Sequence, residues 1–117
     1  MTMSHDELFI DAETTSRCDL KLHGLGRYLR EATTRVNSWA YRLPGETETK
    51  LWLIGDRSID LRLMEHIACG KPVVAHNAAF DFHIWNDVFL RDHPDLPPMT
   101  RSQMRCSAVR ARYNGLP

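Results

Sequence analysis

Residues 7 to 12 alternate between apolar and polar side chains and are rich in Leu, Phe and Ile, which predicts a strand. "VNSWAYRL" (36 to 43) sets Trp39, Tyr41 and Leu43 on one face at a period of two. "LPGETET" then turns the chain into "KLWLIG", so an antiparallel hairpin is predicted. Between these strands, "GLGRYLREA" (24 to 32) reads as a short helix weakened by its two glycines. From Ser58 as N-cap, Leu63, Met64, Ile67 and Ala68 recur at helical spacing until Gly70 and Pro72 end the helix. "PVVAH" is a short buried strand. In "FDFHIWNDVFL", Phe80, Ile84, Trp85, Val88 and Phe89 share one helical face, and "DHPDLPP" ends it. A last helix is predicted from about Arg101 to Arg112. Strands and helices in this order predict an α/β fold, a mixed sheet covered by helices, in a single domain spanning 1–117.

Composition narrows the picture little. Fifteen basic residues balance fifteen acidic ones in a 117-residue chain, so any attraction to nucleic acid has to be local. The local excess is in Arg17, Lys21, Arg27, Arg30, Arg35 and Arg42, opposed by Asp19 and Glu31. No apolar run approaches the length of a membrane span, and the start has no apolar leader segment, which sets the expectation of a soluble, cytoplasmic protein without a membrane partner. Cys18, Cys69 and Cys106 are odd in number and far apart, which reads as reduced thiols.

The candidate chemistry begins with "LFIDAETTS" (8 to 16). Residues two apart in a strand point to the same side, so Asp11 and Glu13 project together with Cα atoms about 6.5 to 7 Å apart. Carboxylates crowded on a half-buried surface repel one another, and a cation keeps both ionised. Hard oxygen ligands favour magnesium or manganese. The plainer alternative is that Glu13 has left the strand and both are solvated loop charges. "VVAHNAAFDFHIW" adds Asp81 in the first turn of a helix, four residues before Trp85 on its buried face. Three acids from two segments suit a pair of ions about 3.5 to 4 Å apart, the arrangement that supports in-line attack at phosphorus. Alone, Asp81 is an ordinary first-turn acid favoured by the helix dipole.

"FIDAETTS" resembles the first motif, and "AHNAAFD" the second, of the DEDD 3′→5′ exonucleases, whose domains have a ribonuclease H-like fold. More closely, "DAETTSRCDLKLHGLGRYL", the hairpin, "LWLIGD", "VVAHNAAFDFHIW" and the final "GLP" follow one another as in the N-terminal proofreading domain of phage family A DNA polymerases. The resemblance implies that Asp11 bridges two divalent ions, Mg²⁺ or Mn²⁺, that Glu13 helps hold the ion activating water, and that Asp81 serves the other ion. It gives Asn77 and Phe80 a part in seating the 3′-terminal nucleotide, with core packing as the alternative for Phe80. The implied substrate is the 3′ end of single-stranded or frayed DNA, with the remainder of a DNA polymerase as a partner in cis or trans. The implied setting is a bacterial cell or phage-infected host.

The family also calls for a fourth acid, preceded by a Tyr or His, on a later helix, and the chain ends before such a segment. The expectation is therefore a domain truncated at its C-terminus, weak or inactive unless another segment or partner supplies that acid. Two rivals follow: a catalytically incomplete module that binds DNA or a polymerase, and a metal-dependent phosphatase built on the same acids.

Overall fold

The computed structural model describes residues 6–107. The apolar–polar alternation at the start becomes β1 (Leu8–Thr15), in which Leu8 and Ile10 are buried while Asp11, Glu13 and Thr15 are exposed. The strand therefore runs three residues further than the alternation alone predicts, because β2 (Arg35–Arg42) pairs with it antiparallel as far as Thr15↔Arg35. A bulge between Glu13 and Thr14 leaves Asn37 as the extra residue on β2 and keeps the alternation of faces intact. β3 (Lys50–Leu53) completes the predicted hairpin, with Trp39 opposite Trp52.

The short helix predicted over 24–32 is two pieces, α1 (Leu20–His23) and α2 (Leu25–Arg30). Gly24 separates them at φ 82°, a left-handed conformation that glycine adopts without a steric penalty. α3 (Leu61–Ala68) starts later than the sequence suggests. Its N-cap is Asp60 and not Ser58: Asp60 accepts from Arg62 N–H at 2.9 Å, and also from the Tyr41 hydroxyl at 3.1 Å. A carboxylate that can serve two donors displaces the serine two residues upstream. The Asp60 charge, after burial, helps push the Tyr41 hydroxyl up to about 12.

β4 (Val73–Ala75) pairs parallel with β1 at Leu8↔Val73 and Phe9↔Val74. After it, α4 (Ala78–His83) continues into a π-helical segment (Ile84–Phe89) and a final turn, α5 (Leu90–Asp92). The predicted helix over 101–112 is corrected where it can be compared. Arg101–Gln103 form a 3₁₀ turn, and Met104–Cys106 form β5, parallel to β4. The reason lies in Gln103, which is buried: its side-chain amide donates to the carbonyls of Ile67 and Lys71 and fixes the chain as an extension of the sheet edge. The rest of that predicted helix, from residue 108, lies outside the described residues.

The result is an α/β domain with a five-stranded mixed sheet, order β3-β2-β1-β4-β5, flanked by helices. One face meets the helices in a core of Leu8, Ile10, Trp39, Trp52, Trp85 and Phe89. Trp39 lies edge-on to Trp85 at 5.5 Å and Trp52 to Phe89 at 4.9 Å, a geometry in which ring edges meet ring faces. All three tryptophans are therefore core residues. Among the described residues, the indole N–H groups of Trp39 and Trp52 have no hydrogen-bond partner. The opposite face carries Phe9, Asp11, Glu13, Leu51 and Leu53, and the last two are 60% and 50% exposed. No helix among the described residues is long and apolar enough to cross a membrane.

Candidate functional site at the end of the first strand

β4 stops at Ala75 while β1 runs on, so beyond the pairs at Leu8 and Phe9 the β4 side of β1 lacks a ladder partner. The chain leaves β4 through His76 and Asn77 and turns back as α4. Asn77 caps that helix, its side chain accepting from Phe80 N–H at 3.4 Å. The turn brings Asp81 against β1, where its Oδ1 accepts from the backbone N–H of Ala12 at 3.2 Å. Ala12 is the residue between Asp11 and Glu13. A backbone amide left open by the end of β4 is thus satisfied by a side chain, as a buried donor requires.

The three acids have different surroundings. Asp81 is 4% exposed, and its carboxyl is pushed up to about 7. Burial is the main cause; the Ala12 amide opposes it, and the negative charge of Asp11 adds to it. Asp11 and Glu13 are exposed, not half-buried as the sequence suggests, because β1 presents them on the face away from the aromatic core. Glu13 has not left the strand; it pairs with Ser38. Among the described residues, neither Asp11 nor Glu13 has a hydrogen-bonded or ion-paired cation at its side chain. Nor do three or more His, Cys, Asp or Glu side chains form a group close enough to hold a metal ion among those residues. Asp81 and Asp11 are near enough to sense each other's charge, and carboxylates without a cation between them hold apart.

Asn77 is exposed beside this point, and Phe80 is half-buried, its ring 6.4 Å from that of Tyr28 in a tilted contact. Phe80 therefore packs partly against the core, the alternative given for it. Tyr28 also reaches β1 directly: its hydroxyl and that of Thr14 lie 2.7 Å apart. Neither that tether nor the Ala12 amide has a signature in sequence spacing, since each depends on how far α2 and α4 reach across the sheet. His66 is buried, donates Nε2–H to the Pro72 carbonyl at 2.8 Å, and has its pKa lowered chiefly by burial. It is a satisfied core histidine.

Compared with models of protein families, with characterised proteins and with solved structures, the chain matches none.

Proposed function

We propose that the chain is a metal-dependent phosphodiesterase domain of the 3′→5′ exonuclease type with a ribonuclease H-like fold, in which Asp11, Glu13 and Asp81 hold Mg²⁺ or Mn²⁺. The observation that carries this reading is the contact between Asp81 and the amide of Ala12, which joins the second candidate motif to the middle of the first. The mixed sheet flanked by helices supports the fold named in the proposal. The donor chemistry fits a hard dication. All three ligands are carboxylates, two of them exposed and without a neighbouring cation among the described residues, and the third is driven towards its protonated form until a positive charge arrives. A bound ion supplies a Lewis acid and an activated water; the chain's own residues hold it and seat the strand end, Asn77 from the N-cap of α4 and Phe80 from its first turn.

A fourth carboxylate with a water-orienting Tyr or His is part of the family resemblance, and among the described residues no three His, Cys, Asp or Glu side chains stand close enough to hold a metal ion. Loss of a general base lowers rates by roughly 10²- to 10⁴-fold, so slow hydrolysis is the expectation for the chain alone. The test is digestion of a 5′-labelled single-stranded oligonucleotide with Mn²⁺. Shortening from the 3′ end that disappears in Asp11→Ala supports the proposal, and digestion indifferent to that substitution rejects it.

The lack of a ready-made three-ligand group among the described residues favours a second reading, a module that binds DNA or a polymerase and does not hydrolyse. A melting point that Mn²⁺ leaves unmoved, together with retained oligonucleotide binding, is its signature, because a ligand specific to the folded state raises the melting temperature.

A further inference from the structure

The bulged pairing that ends β1 sets Thr15 directly across from Arg35, and cross-strand partners share a face of the sheet. Thr15 lies on the same side of β1 as Asp11 and Glu13, about 14 Å along the strand from Asp11 at ~3.4 Å per residue. Here the sheet end borders a cleft of about 550 Å³ lined by Arg17, Arg35, Arg91, Thr15, Thr33 and Asp92, among others. Three arginines and one aspartate therefore line the cleft, and that carboxylate is already engaged by Arg91 at 3.2 Å.

The three arginines are held differently. Arg91, in the middle of α5, is fixed across the sheet end by donating to the carbonyls of Thr34 and Glu31. Arg17 and Arg35 have no hydrogen-bonded or ion-paired partner at their side chains among the described residues. The loop that carries Arg17 is nevertheless ordered, since Arg17 N–H donates to the Thr33 hydroxyl at 2.9 Å and the Ser16 hydroxyl meets that of Thr34. A concave site lined by two arginines without side-chain partners among the described residues, together with Thr15, Ser16 and Thr33, suits a phosphate, which guanidinium binds through paired N–H donors.

We propose that this cleft seats a backbone phosphodiester of a single-stranded DNA chain, interior to the end that reaches the acids. The identity of the ligand rests on the reading under Proposed function; the anion site does not. Arg91 belongs to a helix far from β1 in sequence, so only the fold assembles the three cations.

The experiment measures binding of a fluorescent oligothymidylate by anisotropy in EDTA, where hydrolysis cannot occur, across a series of salt concentrations. The expected result is that the double variant Arg17→Gln/Arg35→Gln weakens binding about 10-fold and flattens the salt dependence by roughly 0.7, the slope of one lost single-strand phosphate contact. Arg17→Lys/Arg35→Lys recovers much of the affinity, and Arg57→Gln, a change at an exposed arginine on another loop, leaves it unchanged. Melting curves of each variant establish that it is folded. Unaltered binding by the double glutamine variant, equal loss with Arg57→Gln, or no binding by the parent protein at low salt overturns the proposal. Thymidine monophosphate binding as tightly as the oligonucleotide also overturns it, in favour of a free-phosphate site. If the parent binds in EDTA but never digests DNA with Mn²⁺, the hydrolase reading fails while the cleft assignment stands.

Discussion

Asp81 Oδ1 and the backbone N–H of Ala12 are 3.2 Å apart, although 69 residues separate them in the chain. That single bond places a buried carboxylate beside a strand whose exposed face carries two more. It also makes Asp81 the group on which the ion-free protein's pH behaviour turns.

Asp81 has a folded pKa of about 7 against an ordinary 3.8, so the folded state retains a proton that the unfolded state has lost. Stability therefore falls as pH rises from about 4 to about 7 and stays lower above that, by a few kcal/mol at most at ~1.4 kcal/mol per pKa unit. Asp81→Asn keeps an oxygen for the Ala12 amide and removes the titration. It is predicted to melt several degrees higher than the parent at about pH 8, with the advantage gone at about pH 4. Equal melting temperatures across that range contradict the burial argument.

His66 acts in the opposite direction at lower pH. Its pKa is depressed, so the unfolded state binds the extra proton first, and stability is lost as pH falls below 6.5. His66→Gln, which can still donate to the Pro72 carbonyl, is predicted to flatten the acid side of the stability profile measured by urea unfolding.

Asn77 has a structural duty and a proposed binding one, and a pair of substitutions separates them. Asn77→Ala removes the cap of α4 and is predicted to cost about 1 kcal/mol. Asn77→Asp keeps the cap and adds a negative charge where a strand end would arrive. Unchanged melting with weakened oligonucleotide binding is the expected outcome for Asn77→Asp; unchanged binding removes Asn77 from the substrate seat.

The aromatic core is the main support of the sheet on its helical side. Phe89 touches Trp39, Trp52 and Trp85, and Phe89→Ala is predicted to destabilise by about 3–5 kcal/mol in urea unfolding. A loss below about 1 kcal/mol would mean that the cluster can close over the gap.

Local pattern made most of the frame legible. The period-two run at Trp39 and Tyr41 and the helical spacing of Ile84, Trp85, Val88 and Phe89 place these residues in the core that they occupy. The same spacing puts Asp81 beside that core. What local pattern did not carry was decided at a distance. Met104–Cys106 falls within the last predicted helix, yet β4 offers a parallel edge and buried Gln103 binds the carbonyls of Ile67 and Lys71. Asp60 displaces Ser58 as a cap because it also meets Tyr41 from the next layer. The exposure of Asp11 and Glu13 follows from which face of β1 the helices chose.

The central claim is that Asp11, Glu13 and Asp81 share divalent ions, and the most direct test is Mn²⁺ binding followed by electron paramagnetic resonance at about pH 8. The parent protein is predicted to take up Mn²⁺, with Asp11→Asn and Asp81→Asn each weakening uptake about 10-fold or more. Uptake that neither substitution changes, or no uptake by the parent at millimolar Mn²⁺, contradicts the account.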